Sequence, residues 1–324
     1  MGLFDRLGGG GPRAAFVGVD GVPFELVDDH PEVFENLHEI AEHGAGGRIT
    51  SIVPPESSAC WPALSTGRNP GATGVYGFQD RESGSYDTYV PLSHHVRSER
   101  IWHRVEADGR DATVLNVPVT FPPSDDVQRM VSGFLSPSVE AAASDDDVLA
   151  VLEDNGYRVD VDASLGHDDD KSEFIDDAHE VVDARQRVFR HYVEADDWDL
   201  FFGVFMTSDR VNHFLYGDYV DEGEYHDDFL EFYDKLDGYI GELRDALADD
   251  VPLVVASDHG FTKLEHEANC NEYLRRNGWL SYDVDGGEDG ARDDGDDGTG
   301  ESEPEGLDDI EKSSRAYSLI PGRF

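Results

Sequence analysis

Short apolar runs alternate along this chain with longer stretches whose apolar residues recur at helical spacing. The clearest runs, AAFVGV and LFFGVFM, contain no polar side chain, which is typical of strands buried on both faces of a parallel sheet. The stretches between the runs place apolar residues three or four positions apart, as amphipathic helices do. The pattern predicts strands at residues 14–19, 47–53, 112–117, 200–206 and 252–257, and helices at residues 23–43, 58–65, 100–107, 178–195 and 222–247.

This alternation predicts an α/β fold with a doubly wound, mostly parallel sheet flanked by helices. We expect one main domain over residues 14–281, with a helical cap segment at about 140–195. Residues 1–13 contain a run of glycines and predict a flexible N-terminal tether. Residues 282–312 consist mainly of Gly, Asp, Glu and Ser, which predicts an acidic disordered insertion because so little apolar surface can be buried. Residues 313–324 are apolar again and predict a truncated return to the main domain.

The chain is strongly acidic. Its 324 residues contain 71 Asp and Glu but only 25 Lys and Arg, for a formal net charge of −46 at pH 7. Such a charge repels nucleic acids and anionic membranes, so neither is expected as a partner. Because the acidic residues occur along the whole sequence, the composition favours a surface adapted to high salt and hence a halophilic source.

The number of cysteines and the hydropathy of the sequence indicate where in the cell the protein is expected. The two cysteines, Cys60 and Cys270, are too few for a disulfide scaffold. The sequence shows no tripartite leader and no apolar run of membrane-spanning length. We therefore expect a soluble, cytoplasmic protein, and nothing in the sequence indicates its oligomeric state.

Ionisable or hydroxyl side chains follow four of the predicted strands. In open α/β sheets, ligands bind beyond the carboxyl ends of the strands, so side chains at these positions are expected to converge. A single acidic residue before a glycine is more often part of a turn, and only the joint occurrence at several strand ends favours a binding site. The residues concerned are Asp20, the pair Ser57 and Ser58, Asp209 with His213, and Asp258 with His259.

The spacing of Asp209 and His213 has its own implication. Residues four positions apart lie on the same face of a helix, where a carboxylate and an imidazole can bind one divalent ion. Asp258 and His259 are adjacent, so they reach a common ion only from an extended or turning backbone, as a strand end provides. Alone, each pair is also compatible with a surface ion pair or a turn.

Because of these residues and the motifs around them, the sequence resembles the type I phosphodiesterase/nucleotide pyrophosphatase family of the alkaline phosphatase superfamily. The resemblance spans most of residues 14–280 and preserves the order of the family's motifs. It implies an alkaline phosphatase-like fold and makes the main domain the catalytic one. The matching stretches are FVGVDG (16–21), PPESSACW (54–61), STGRNPG (65–71), NVPVTFPP (116–123), WDL (198–200), DRVNH (209–213) and SDHGF (257–261).

The resemblance implies a hydrolase of small phosphate esters or nucleotides that uses two divalent metal ions. Zinc is favoured because of the histidines, with manganese or magnesium as alternatives. The family nucleophile, commonly threonine, corresponds to Ser57, with Ser58 as the alternative. Attack on phosphorus would produce a phosphoseryl intermediate. By position, one ion corresponds to Asp20, Asp258, His259 and the Ser57 oxygen, and the other to Asp209, His213 and a final histidine.

The sequence departs from the family pattern in several places. Cys60 stands where an asparagine often binds a phosphate oxygen, and it is equally explained as a small buried residue. Arg68 is a candidate for contacting the phosphate or for a solvated loop. The family's final histidine is expected to be missing, because the sequence ends before the corresponding position. His266 is the nearest replacement in the sequence.

Several other functions are compatible with the same fold. A sulfatase requires Cys-x-Pro-x-Arg, and the sequence from Cys60 to Leu64 lacks the arginine. A cofactor-independent phosphoglycerate mutase needs a large inserted domain, for which the chain has little room. A phosphomonoesterase stays open, as does a metal- or nucleotide-binding pseudoenzyme that lacks the last ligand. The cap segment contains no motif that would identify the natural substrate.

The charge distribution predicts how salt affects stability. In molar KCl the self-repulsion of the acidic surface is screened, and on dilution into low salt we expect the protein to unfold. Circular dichroism across a series of salt concentrations measures this transition. A protein whose unfolding temperature does not depend on salt would contradict the halophilic interpretation.

Overall fold

The computed structural model describes residues 12–281 except positions 86, 196 and 267. Two compact units divide this part of the chain, one ending at Thr262 and the other beginning at Lys263. The expected acidic insertion and apolar return lie outside the described residues, as does the expected tether apart from residues 12 and 13. The domain boundaries given above stay predictions.

The first unit contains seven strands and ten α-helices within the described residues. The strands are β1 (Ala14–Val19), β2 (Asp80–Arg81), β3 (Thr88–Tyr89), β4 (Ala112–Val117), β5 (Arg129–Ser132), β6 (Leu200–Phe205) and β7 (Leu253–Ala256). The helices are α1 (Phe24–Asp29), α2 (Glu35–His43), α3 (Ser57–Thr66), α4 (Pro70–Thr73), α5 (Ile101–Ala107), α6 (Val139–Ala142), α7 (Asp146–Asp154), α8 (Ser172–Ala195), α9 (Thr207–Asp221) and α10 (His226–Ala246). Two short 3₁₀ helices, Ser93–His95 and Ala163–His167, complete it, and the second unit contains α11 (Cys270–Arg276).

Five parallel strands form the central sheet, in the order β5-β4-β6-β1-β7. Both β4 and β6 are buried at all six positions, as the uninterrupted apolar run of β6 predicts; β4 buries two polar residues as well, Thr113 and Asn116. The predicted α/β fold with a mostly parallel, helix-flanked sheet is therefore confirmed. Because the strands are parallel, their carboxyl ends meet at one edge of the sheet.

Helices cover both faces of this sheet. Side chains alternate along β6, so Phe201 and Phe205 belong to one core and Phe202 to the other. The first core includes apolar residues of α8, α9 and α10, and the second includes Trp61 of α3 and Trp102 of α5. No helix within the described residues is long and apolar enough to cross a membrane.

The strand predicted at residues 47–53 is wrong. The structure has no strand there, and Ile49 and Val53 are 65% and 90% exposed. The segment contacts the sheet through its polar residue Ser51, whose hydroxyl donates to the carbonyl oxygen of Asp258 at 2.6 Å. Local apolar character indicates strand propensity, but a strand also requires a neighbouring backbone in register.

The helix predicted at residues 23–43 is observed as two, α1 and α2. Pro31 lies between them, and a proline lacks the N–H for a helical hydrogen bond and disfavours helical geometry at the preceding residue. The helices predicted at 58–65, 100–107 and 222–247 are observed with small shifts of their ends. Residues 140–195 are mostly helical, as predicted, and their function as a cap stays a prediction.

Gly18 in β1 allows the sheet to approach Trp61 closely. A Cβ atom at Gly18 would lie 2.3 Å from Cη2 of Trp61, well inside van der Waals contact. The indole is fully buried, and its Nε1 donates to Asp20 Oδ2 at 2.7 Å, so it has no room to move aside. The packing at Gly18 thus also holds Asp20.

We expect Gly18→Ala to destabilise the protein by about 1–3 kcal/mol, because the added methyl group overpacks the core. Denaturant unfolding in high salt measures the change. Gly47→Ala is the control, since no atom lies within 4 Å of a Cβ at that glycine. Equal stability of the two variants would contradict the overpacking.

Candidate active site

Asp20 lies at the carboxyl end of β1, where the strand turns. Its backbone N–H continues the sheet by donating to Phe205, and Gly21 then adopts a left-handed conformation with φ of 68°. The carboxylate is fully buried and accepts hydrogen bonds on both oxygens, from Ser57 Oγ to Oδ1 at 3.0 Å and from Trp61 to Oδ2. The strand end and two side chains of α3 therefore fix its orientation.

Asp258 and His259 follow β7, beside Asp20 in the sheet. Asp258 Oδ1 accepts from the N–H of Gly21 at 3.2 Å, and Nε2 of His259 lies 3.5 Å from Asp20 Oδ1 and 3.6 Å from Asp258 Oδ2. One donor atom from each of Asp20, Asp258 and His259 lies within 4.8 Å of the others. The structure thus brings together three predicted ligands that are up to 239 positions apart in the sequence.

The histidine tautomer favours a ligand role. Nδ1 of His259 lies 2.8 Å from the carbonyl oxygen of Gly260, an acceptor only, so we assign the proton to Nδ1. The lone pair of Nε2 then points toward the serine and the carboxylates. A neutral imidazole held by a backbone carbonyl is the usual arrangement of a metal-bound histidine.

Ser57 begins α3 and faces this cluster. Its Oγ lies 3.0 Å from both Asp20 Oδ1 and His259 Nε2, and the side chain is buried. Ser58 is also buried, but its Oγ has no hydrogen-bond partner among the described residues. The contacts therefore favour Ser57 over Ser58 as the hydroxyl of the site.

Asp209 and His213 lie on the first turns of α9, directly after β6. Asp209 Oδ2 and His213 Nε2 are 3.4 Å apart, as the four-residue spacing predicts. A Cβ atom at Gly21 would lie 3.0 Å from Asp209 Oδ1, so this carboxylate packs against the turn that follows Asp20. Burial lowers the pKa of His213, an effect that the charge of Asp209 opposes, and a neutral imidazole is the form that binds metals.

The three buried carboxylates perturb one another. Burial, and then the charges of Asp258 and Asp209, raise the pKa of Asp20 well above its ordinary value. Burial also raises the pKa of Asp258 from 3.8 to about 8; the charge of Asp209 adds to this effect and the Gly21 hydrogen bond opposes it. Without a cation, Asp258 takes up a proton as the pH falls below about 8, and Asp20 also holds its proton more strongly than an ordinary aspartate, because adjacent buried negative charges are costly.

The donor set fits a divalent cation. Asp258 Oδ2 is buried and has no hydrogen-bond partner in the described part of the chain, although buried carboxylate oxygens are normally paired. The carboxylates of Asp20 and Asp258 and the imidazole of His259 are ligands that zinc and manganese accept. Asp209 and His213 form a second carboxylate–imidazole pair.

The three other predicted site residues, Cys60, Arg68 and His266, lie in different parts of the chain's structure. Cys60 is buried one turn after Ser57, with Sγ 3.4 Å from Ser51 Oγ, and burial raises the pKa of its thiol to about 12, so the thiol is unreactive. Arg68 lies on the exposed turn between α3 and α4, where its backbone N–H donates to Thr66. His266 belongs to the second unit, and its ligand role stays a prediction.

Sequence reasoning missed residues that hold the ligands in place. Asn212 Nδ2 donates to the carbonyl oxygen of Gly21 at 2.8 Å, and Tyr233 in turn donates to Asn212 at 2.8 Å. Arg210 makes a two-point ion pair with Asp160. Asn212 and Arg210 lie inside the DRVNH motif, but their partners are distant in sequence and carry no local signal.

The raised pKa of Asp258 predicts how pH affects the metal-free protein. Between about pH 4 and pH 8 the folded chain binds a proton at Asp258 that the unfolded chain does not bind. The stabilisation is complete below about pH 4 and is lost as the pH rises toward 8. With a chelator present, Asp258→Asn should therefore become more stable than the unmodified protein as the pH rises, as measured by thermal unfolding.

The same experiment has an internal control. At about pH 4 both proteins carry an uncharged side chain at position 258, so their unfolding temperatures should differ little. Excess zinc should then stabilise the unmodified protein more than Asp258→Asn. A difference between the two proteins that does not vary with pH would contradict the raised pKa.

Comparison with solved structures shows the fold. Phosphonoacetate hydrolase from Sinorhizobium meliloti, in complex with phosphonoformate, has a TM-score of 0.58 and 19% identity over 82% of this chain and 62% of that protein. The same hydrolase with phosphonoacetate has a TM-score of 0.57 and 19% identity over 84% and 63%. Murine ectonucleotide pyrophosphatase/phosphodiesterase 5 in complex with AMP has a TM-score of 0.48 and 15% identity over 77% and 57%. The chain thus spans less than two thirds of the length of each of these proteins.

The family assignment comes from the sequence itself. No curated protein sequence matches the chain. Residues 14–319, however, match the family described as Type I phosphodiesterase / nucleotide pyrophosphatase. This match covers nearly the whole chain and includes every strand of the central sheet. The chain therefore belongs to the type I phosphodiesterase/nucleotide pyrophosphatase family.

Proposed function

We propose that this protein is a metal-dependent hydrolase that cleaves phosphodiester or nucleotide pyrophosphate bonds, with Ser57 as the nucleophile. The strongest support for this proposal is the position of the Ser57 hydroxyl. The Ser57 hydroxyl lies 3.0 Å from a buried carboxylate and 3.0 Å from an imidazole, at the start of a helix. A hydroxyl with a carboxylate and an imidazole within hydrogen-bond reach is placed for nucleophilic attack.

The chain's residues prepare the serine for attack. Asp20 Oδ1 accepts the Ser57 hydroxyl hydrogen and holds the oxygen in one orientation. The first turn of α3 carries a partial positive charge from its backbone N–H groups, which favours a phosphoryl group there. A divalent ion bound by Asp20, Asp258 and His259 would lower the pKa of the serine hydroxyl and neutralise charge on the phosphoryl oxygens.

The proposed reaction consists of two successive displacements at phosphorus. The Ser57 oxygen forms a bond to phosphorus as the bond to the leaving alcohol or nucleotide breaks, and the leaving oxygen takes up a proton. Water then displaces serine from the phosphoseryl group, so that Ser57 recovers its hydrogen and a phosphate monoester leaves. Asp209 and His213 are proposed to bind a second ion beside the first, with a further ligand outside the contacts described above.

The substrate is proposed to be a small phosphate ester, nucleotide or phosphonate. A phosphonate is included because the S. meliloti protein, similar in fold, is a phosphonoacetate hydrolase. Zinc is the proposed metal because of the two imidazoles, with manganese and magnesium as alternatives. The net charge of −46 opposes binding of nucleic acids and anionic membranes and supports a halophilic source. A cytoplasmic location is also part of the proposal.

Replacing the nucleophile tests the function. We expect Ser57→Ala to lower turnover of bis-p-nitrophenyl phosphate by about 10³-fold or more in molar salt with zinc or manganese, because the attacking oxygen is removed. Ser58→Ala is the matched control and should retain activity, since its hydroxyl makes no hydrogen bond within the described residues. Elemental analysis of the purified protein identifies the metal.

Other substrates separate the alternatives. Faster turnover of p-nitrophenyl phosphate than of the diester would indicate a phosphomonoesterase, and turnover of p-nitrophenyl sulfate would indicate a sulfatase. Metal binding without hydrolysis of any ester would indicate a pseudoenzyme. Loss of activity in Ser58→Ala but not in Ser57→Ala would reverse the assignment of the nucleophile.

A further inference from the structure

The guanidinium of Arg210 lies between two carboxylates with different roles. Asp160 accepts from Arg210 Nη2 at 2.7 Å and from Nε at 3.0 Å, a two-point ion pair. On the other side, Arg210 Nη1 lies 3.6 Å from Oδ2 of Asp209, at ion-pair distance but too far for a hydrogen bond. Asp160 belongs to the segment between α7 and the 3₁₀ helix Ala163–His167, while Asp209 belongs to the candidate metal centre.

The surroundings of Arg210 leave the side chain few alternatives. It is 4% exposed, and the Phe134 ring lies under the guanidinium with its centroid 4.7 Å from Cζ. Because Nη1 already faces Asp209 Oδ2 at 3.6 Å, a shift of about 0.5 Å would bring it within hydrogen-bond distance of that carboxylate. The observed geometry directs the Nε and Nη2 edge to Asp160 and leaves Asp209 Oδ2 without a hydrogen bond from the arginine.

We propose that Asp160 is a positioning residue that keeps Arg210 from hydrogen-bonding to Asp209, so that the oxygens of the Asp209 carboxylate stay available to a divalent ion. This inference rests on the proposed function, in which Asp209 is a metal ligand. An arginine is permanently charged, and one that hydrogen-bonded to Asp209 would occupy the carboxylate oxygens and bring its charge closer to the ion. The segment that contains Asp160 thereby controls metal affinity without touching the metal.

The inference predicts a loss of metal binding when the Asp160 charge is removed. Asp160→Asn keeps the shape of the side chain but removes the negative charge that holds the guanidinium, and we expect zinc affinity at the Asp209–His213 site to fall by about 10-fold or more. Isothermal titration calorimetry of the full chain in molar salt measures zinc binding directly. Zinc-dependent thermal unfolding provides a second measurement that does not depend on catalysis.

A matched control comes from the opposite edge of the sheet. Asp199 precedes β6 and pairs with Arg110 at 3.3 Å, and its side chain is 22% exposed, compared with 21% for Asp160. Asp199→Asn therefore removes the charge of a carboxylate that is paired with an arginine and is about as exposed as Asp160, but that lies at the amino ends of the strands. Its zinc affinity should equal that of the unmodified protein, even where its metal-free stability falls.

A double substitution tests whether Asp160 acts through Arg210. In an Arg210→Met background no guanidinium can turn toward Asp209, so adding Asp160→Asn should leave zinc affinity unchanged. Where Arg210→Met does not fold, Arg210→Gln replaces it, and the comparison of Asp160→Asn with Asp199→Asn stands without either variant.

Three results would overturn the inference. The first is a zinc affinity of Asp160→Asn equal to that of the unmodified protein, which leaves the proposed function intact. The second is an equal loss of affinity from Asp160→Asn with and without Arg210. The third is the absence of zinc or manganese binding by the unmodified protein, which would overturn the proposed function as well.

Discussion

The cost of burying negative charge dominates this structure. Asp20, Asp209 and Asp258 lie together at the carboxyl edge of the sheet, and all three are at most 5% exposed. Burial and mutual repulsion raise the pKa of Asp20 and Asp258, so the cluster exists either with bound protons or with a bound cation. A fold retains such a cluster only where the rest of the structure supplies enough stability to hold it.

The supporting contacts are those of a sheet covered on both faces. Trp61 packs on Gly18 within one core and donates to Asp20, so the same indole stabilises the sheet and orients a carboxylate. On the other face, α9 begins directly after β6, which places Asp209 beside the turn at Gly21. Hydrogen bonds from Asn212 to Gly21 and from Tyr233 to Asn212 connect that turn to α9 and α10. Core elements therefore hold Asp20, Ser57 and Asp209, whereas Asp258 and His259 lie on the segment that follows β7.

Sequence patterns predicted four of the five strands of the central sheet, but they missed β5 and placed a strand at residues 47–53 where none forms. The runs that became β1 and β6 are apolar throughout, as is typical of strands buried on both faces of a parallel sheet. The run at residues 47–53 has similar β propensity but stays largely exposed, because pairing depends on which backbone lies nearby. The predicted ends of the helices were also displaced by a few residues. Pro31, however, marks the break between α1 and α2 directly in the sequence.

By itself, the sequence determined the fold class, the acidic surface, and which carboxylates, imidazoles and hydroxyls stand at strand ends. These properties depend on residue type and on local spacing, which a single chain displays. Only the tertiary structure decided that Ser57 and not Ser58 contacts Asp20 and His259. It also decided that Asp258 Oδ2 has no hydrogen-bond partner in the described chain, and that Arg210 donates to Asp160. Those facts are distances between residues far apart in sequence, and such distances arise only when the whole core packs.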